Sequence, residues 1–295
     1  MLYDIKLAID YEFETPANAG RHLLRMLPRN IDGVQRVLIS NVDSQPEPAE
    51  RLDSLDFFGN QTVSLRLGEP TETESFHMRA RVEKLPRAAP VNSGPTLAML
   101  QDELATIHSL EPESPHHFLP QSRLVKTDKA VADWAAPFKN ETMPIVEIVS
   151  RICSGLHAIM KFDPQSTDVD TPMAEAFRKR RGVCQDFTHI MIAALRSLHI
   201  PAGYVSGFLR TIPPKGSERL EGADAMHAWV RAWCGSQTGW VEFDPTNNMR
   251  AELDHVIVAY GRDYFDVAPV KGTLRLAGGQ ASHQSVDMVP LPFPG

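Results

Sequence analysis

The spacing of apolar residues changes twice along this chain, and that change limits what it can fold into. From Tyr3 to Phe13 the odd positions are Tyr, Ile, Leu, Ile, Tyr and Phe, while the even ones are Asp, Lys, Ala, Asp and Glu. A period of two sets one face of an extended strand against a core. Gly59-Asn60 then reads as a turn before an alternation of Val63, Leu65 and Leu67. Phe76, Met78, Ala80 and Val82 alternate with His77, Arg79, Arg81 and Glu83. Several such strands with no helical period among them predict a β-sandwich over residues 1–85.

Further on, the period lengthens. Ile145, Ile148, Val149, Ile152, Leu156, Ile159 and Met160 follow 3.6 residues per turn and predict a helix. Phe187, Ile190, Met191, Ala194, Leu195 and Leu198 predict a second one, which Pro201 ends. After Pro201 the chain is β-rich again, in "AGYVSGFL", "HAWVRAWC" and "GWVEFDPT". The fold class is therefore α+β, with an N-terminal β-sandwich followed by helices packed on an antiparallel sheet. The 23 prolines cluster in loops. They divide the chain into the β-domain at 1–85, a linker at 86–115, a core at 116–280 and a C-terminal tail at 281–295.

A net charge of -7 argues against nucleic acid as a partner, because neutralising phosphates needs a basic face. The N-terminus lacks the apolar stretch and small-residue cleavage site of a secretory signal, and no apolar run approaches the roughly 20 residues of a membrane helix. Three cysteines make no disulfide framework. The expected location is cytoplasmic, with thiols kept reduced, and no cofactor is called for.

Cys184 sits at the start of the second helix. Backbone N–H groups there have no intrahelical partner, and the helix dipole is positive at that end. Both effects favour a thiolate, and the same N–H groups can bind a developing oxyanion. A base is needed next. In "HAWVRAW", His227, Trp229, Arg231 and Trp233 share a face; in "GWVEFDPT", Trp240, Glu242 and Asp244 do. Pairing the two strands through a tight turn between Gly235 and Ser236 sets His227 opposite Asp244, with Cβ atoms roughly 5 Å apart. The same register sets Trp229 opposite Glu242 and Arg231 opposite Trp240. A carboxylate so placed orients an imidazole, as a cysteine nucleophile requires.

The order Cys184, His227, Asp244 resembles the bacterial transglutaminase-like superfamily, which has a papain-like core. The matching stretches are "GVCQDFTHIMIAALRSLHIPAGYVSGFL", "HAWVRAW", "GWVEFDPTNN" and "GRDYFDVAPVKG". "PRNIDGVQRVLIS" and "DFFGNQTVSLRL" are similar to the β-rich domain that precedes this core in bacteria. The resemblance implies a thiol enzyme acting on peptide or protein amides through an acyl-enzyme. Cys184 would be its nucleophile, His227 its acid and base, and Asp244 the group holding the His tautomer. Phe162 stands where the family often has Tyr, which leaves the oxyanion to backbone amides and Gln185. Gln185, Phe162, Trp229 and Glu242 are the candidate oxyanion- or substrate-binding residues. The favoured activity is hydrolysis, as a cysteine peptidase or amidase. The alternatives are glutamine acyl transfer to an amine, as in a transglutaminase, and a catalytically idle binding module.

The other candidates read as structural. Cys153 and Cys234 read as packing residues, and Asp186 as support for the helix terminus. His189 lies off the face of Cys184. His116 and His117 are sequence neighbours with no accompanying Cys or carboxylate cluster, so no metal site is expected.

Overall fold

A computed structural model describes residues 1–86, 94–211, 224–275 and 277–292. Part of the Pro-punctuated linker, residues 87–93, lies outside them. The N-terminal strands are β1 (Leu2–Leu24), β2 (Gln35–Gln45), β3 (Glu50–Leu55), β4 (Gln61–Arg66) and β5 (Thr71–Lys84). Tyr3, Ile5, Leu7 and Ile9 of β1 are buried, as are Phe76, Met78, Ala80 and Val82 of β5, so the period-two faces are the core faces. The Gly59-Asn60 turn closes the β3–β4 hairpin, with Gly59 at a φ of 74° and the Asp56 carboxylate accepting the Phe58 and Asn60 N–H groups, each at 3.0 Å.

Helices α1 (Leu97–Thr106), α2 (Lys129–Ala135) and α3 (Ile145–Ile159) come next. They lead to the short strand β6 (Lys161–Phe162), α4 (Met173–Lys179), the short strand β7 (Arg181–Gly182) and α5 (Cys184–Ser197). The remaining elements are β8 (Ala202–Leu209), β9 (Ala225–Trp233), β10 (Trp240–Asp244), β11 (Met249–Arg250), β12 (His255–Gly261), α6 (Tyr264–Val267), β13 (Val270–Arg275) and β14 (Gln280–Leu291).

Two antiparallel sheets share β1. Its first half pairs with β5 and β14, and its second half with β4 and β13. A strand that belongs to both sheets turns the corner between them, and the register shift between Glu12 and Ala17 marks the bend. The stretch read from sequence as a C-terminal tail is thus the strand β14, in register with β1 from Leu2↔Leu291 to Phe13↔Gln280. Its alternation is weak: Gln280 to Gln284 are exposed, and only Val286 and Met288 face the core. That is why the pattern did not announce a strand.

The second sheet system is antiparallel in the order β11-β10-β9-β8-β12. Helix α5 lies on it, and every residue from Gln185 to Arg196 is buried. Ile190, Met191, Ala194 and Leu195 are fully enclosed, and each large side chain contributes about 1.5–3 kcal/mol by leaving water. Arg196 fixes the far end of α5, donating to Ala202 O at 2.8 and 3.0 Å and to Arg262 O at 2.8 Å.

The two parts are joined along β12, the edge strand of the core sheet. Gln35 donates to Ile257 O at 2.7 Å and accepts the Ile257 N–H at 2.8 Å. Asn60 makes the same reciprocal pair with Tyr260, both bonds at 2.8 Å. Two buried carboxamides thus stand in for a neighbouring strand and satisfy an otherwise open edge.

Candidate active site

Cys184 is the first residue of α5. The Asp186 and Phe187 N–H groups both turn back to Val183 O, at 2.9 and 3.2 Å. Among the described residues, the Cys184 and Gln185 N–H groups are therefore the open donors of the first turn. The Asp186 carboxylate folds back over the helix start, accepting the Val183 N–H at 2.8 Å and the Thr167 hydroxyl at 2.7 Å. A Cβ on Gly182 would lie 2.5 Å from that carboxylate, so only glycine fits beside it. Asp186 supports the helix terminus, as its position predicts.

Cys184 is half-buried, and its sulfur acts on the His227 ring closely enough to favour the charged imidazole. His227 Nε2 is 2.7 Å from Asp244 Oδ2, so Nδ1 is the ring nitrogen not engaged by that carboxylate. Burial disfavours a charged imidazole here, but the bond to Asp244 and the nearby Cys184 sulfur outweigh it and raise the His227 pKa to about 10. Asp244 is fully buried. Its Oδ2 also accepts from Asn247 Nδ2 at 2.7 Å and from His255 Nε2 at 3.2 Å, and its Oδ1 accepts the Thr246 and Asn247 N–H groups at 2.9 and 3.1 Å. Burial alone would push this carboxyl up; the bonds from His227, His255 and Asn247 hold it well below the usual carboxylate range.

The strand register differs from the tight-turn expectation by two residues. Glu242 lies opposite Arg231, and Phe243 opposite Val230. The turn is wider than a two-residue one because Cys234 N–H reaches Gly239 O at 2.9 Å and Gly239 N–H reaches Gly235 O at 2.7 Å, with both glycines at positive φ. A slip of two preserves the faces, whereas a slip of one would reverse them. His227 and Asp244 therefore still meet, diagonally rather than directly opposite. Arg231 still packs on Trp240, 4.1 Å from the ring centroid.

Of the four candidate substrate-binding residues, three are engaged elsewhere. Trp229 is fully buried, and its Nε1 donates to Glu242 at 2.7 Å. Glu242 is buried and also accepts the Tyr260 hydroxyl at 2.9 Å. These two form a structural polar pair beneath the site, since buried groups must satisfy one another. The Gln185 carboxamide donates to Val169 O at 3.0 Å, so its backbone N–H rather than its side chain is the open donor. Phe162 is 53% exposed on β6, beside Gly182 of β7.

Sequence reading missed His255 and Asn247. His255 accepts the Glu252 N–H at Nδ1 (3.4 Å), which sets its Nε2–H toward Asp244. Its ring packs edge-on against Trp229, with centroids 5.1 Å apart. The pairing of β12 with β8 brings it there, and no local pattern reports that pairing. Asn247, three residues after Asp244 in "DPTNN", was open to detection as an Asx-type partner of the same turn. His227, Asp244 and His255 bring one potential ligand atom each within 4.8 Å of one another, a nitrogen–oxygen set of the type that suits a borderline divalent cation. His116 and His117 bond separate carbonyls, Ile107 O and Leu110 O.

Comparison with known proteins agrees with this arrangement of fold. The model of the transglutaminase-like superfamily core matches residues 132–245, and that of the bacterial transglutaminase-like N-terminal region matches residues 3–83. An uncharacterized protein of Mycobacterium tuberculosis, Rv2569c, is 33% identical over 269 residues, covering 87% of this chain and 82% of its own. An uncharacterized Mycobacterium leprae protein, ML0607, is 31% identical over 268 residues, covering 89% of each. A crystal structure from Cytophaga hutchinsonii, named a "Putative Cysteine Protease", shares the fold with a TM-score of 0.75 over 100% of this chain and 92% of that one, at 23% identity. With both models matched in chain order and relatives above 30% identity along most of its length, this chain belongs to the transglutaminase-like superfamily and carries the bacterial N-terminal region ahead of its core.

Proposed function

We propose that the protein is a thiol-dependent amide hydrolase, a cysteine peptidase or amidase acting on a peptide or protein substrate. The observation that carries this reading is Cys184 at the open N-terminus of α5, acting on a His227 ring that lies 2.7 Å from the Asp244 carboxylate. The Cys184 sulfur attacks the amide carbon, and the Cys184 and Gln185 N–H groups receive the oxyanion. His227 delivers its proton to the leaving nitrogen as the C–N bond breaks, leaving a thioester. Water, deprotonated by His227, then attacks the same carbon, the C–S bond breaks, and the carboxylic acid leaves. Asp244 keeps the ring oriented throughout, and His255 and Asn247 keep Asp244 in place.

The test is intact-mass trapping during incubation with a peptide library, with and without a primary amine. The expected result is an acyl adduct on Cys184 and free carboxylic acid products, both lost in Cys184→Ala. No adduct from a folded protein would overturn the reading. Adducts resolved only by the amine would replace hydrolysis with acyl transfer.

A further inference from the structure

A groove of about 1260 Å³ opens between β1, β3 and β4 on one side and the α6 end of the core on the other. Leu52 and Phe265 give it apolar surface, and they are 65% and 36% exposed. Arg21, Arg123 and Lys271 line it with positive charge, in a chain whose net charge is -7. Two further arginines of the groove have carboxylate partners: Arg51 pairs with Asp53 at 3.0 Å and Arg66 with Glu50 at 2.8 Å. Among the described residues, Arg21, Arg123 and Lys271 form no ion pair. Instead, the Arg123 guanidinium and the Lys271 ammonium both sit on the Phe265 ring, 4.0 and 3.4 Å from its centroid. The carboxylates nearest Lys271 are already engaged. Asp266 is held by Arg262 at 2.7 Å, and Asp263 by the Leu124 and Phe265 N–H groups at 2.6 and 2.9 Å. Burial and the like charges of Arg25 and Arg123 lower the Lys271 pKa despite the opposing pull of Asp266 and Asp263. One carboxylate of the groove, Asp170, has no cationic partner among the described residues, and it lies on the loop at the groove's inner end.

The groove's Val169 side is tied to the start of α5. Val169 lines the groove, and its carbonyl is the acceptor of the Gln185 carboxamide. Tyr264 also lines it and lies within the electrostatic field of Cys184. We infer that this groove binds an acidic, extended segment of the polypeptide substrate, with carboxylates on Arg21, Arg123 and Lys271 and an apolar side chain against Phe265 and Leu52. The inference rests on the amide-hydrolase reading and adds a substrate class to it.

The experiment uses the full chain carrying Cys184→Ala and two fluorescein-labelled peptides, one alternating glutamate and leucine, the other lysine and leucine. Anisotropy is expected to show binding of the glutamate peptide alone, weakening as salt is raised. Arg123→Glu with Lys271→Glu should weaken it about tenfold, and Arg21→Glu, on a different strand, about threefold. Equal binding of the two peptides, or affinity indifferent to all three reversals, would overturn the inference. So would tight binding of inorganic polyphosphate with none of the peptide. Turnover by the unmodified protein separates the two claims. Acidic peptides that bind without ever acylating Cys184 would sink the hydrolase reading and leave the groove. Cleavage with no preference for acidic peptides would sink the groove and leave the hydrolase.

Discussion

Replacing Asp244 with asparagine changes one atom and should disable the site. Oδ1 accepts two backbone N–H groups, so the amide oxygen stays on that side. The new NH2 then replaces Oδ2 and faces three donors, from His227, His255 and Asn247. Each lost charge-assisted bond is worth about 1.5–3 kcal/mol. The bond to Asp244 is also the strongest influence favouring the His227 imidazolium, which sits at about 10 against an ordinary 6.5. A shift of that size corresponds to roughly 3–5 kcal/mol, so its loss predicts a fall in kcat/KM of about 100- to 10,000-fold. The assay is a pH–rate profile on a peptide substrate, with NMR titration of the His227 ring. The ring of the unmodified protein should stay protonated well above pH 7, and that of the variant should titrate several units lower. A variant that keeps more than about a tenth of the activity, or a ring whose titration does not move, would refute the reasoning.

The same pair sets a stability window. Because the His227 pKa is raised on folding, its contribution is complete below about pH 6.5 and is lost as pH climbs toward 10, so urea midpoints should fall across that range and fall less in Asp244→Asn. Iodoacetamide should label Cys184 before the other two cysteines, whose thiols burial pushes up to about 12, as followed by peptide mass mapping; His227→Ala should slow it. His255→Phe keeps the packing on Trp229 but removes one bond to Asp244, so kcat/KM should fall about tenfold with KM nearly unchanged. Asn60→Ala leaves the buried Tyr260 N–H and C=O without partners, and Gln35→Ala leaves the Ile257 N–H without one while Arg29 N–H still reaches Ile257 O at 3.2 Å; the first should cost about 2–4 kcal/mol in urea unfolding and the second about half that, with both parts of the chain melting together.

Local pattern carried the strands β1, β4 and β5, the helices α3 and α5, and the meeting of His227 with Asp244. In each case the side chains that mattered were spaced by one regular element. The period of α5 put Cys184 at a helix start, and period two put His227 and Asp244 on matching faces, a result robust to the two-residue register shift. Long-range pairing stayed hidden. Nothing in "QASHQSVDMVPL" reports that it lies along β1, because that edge exposes both faces over its first half. Trp229 and Glu242 were placed on the face of His227, which is correct, but only the tertiary structure encloses them and turns them toward each other. His255 reaches Asp244 from a strand three positions away in the sheet, a distance that no sequence window spans.

The sharing of β1 between strands from opposite ends of the chain has a consequence for how the protein is made. Until β14 emerges, the first half of β1 can pair only with β5, and a twelve-residue margin of N–H and C=O groups stays open to other chains. Contacts spanning nearly the whole sequence close late and slowly. The N-terminal sheet is thus begun before the core is synthesised and completed only after it. During that interval the newborn chain is most exposed to edge-to-edge association.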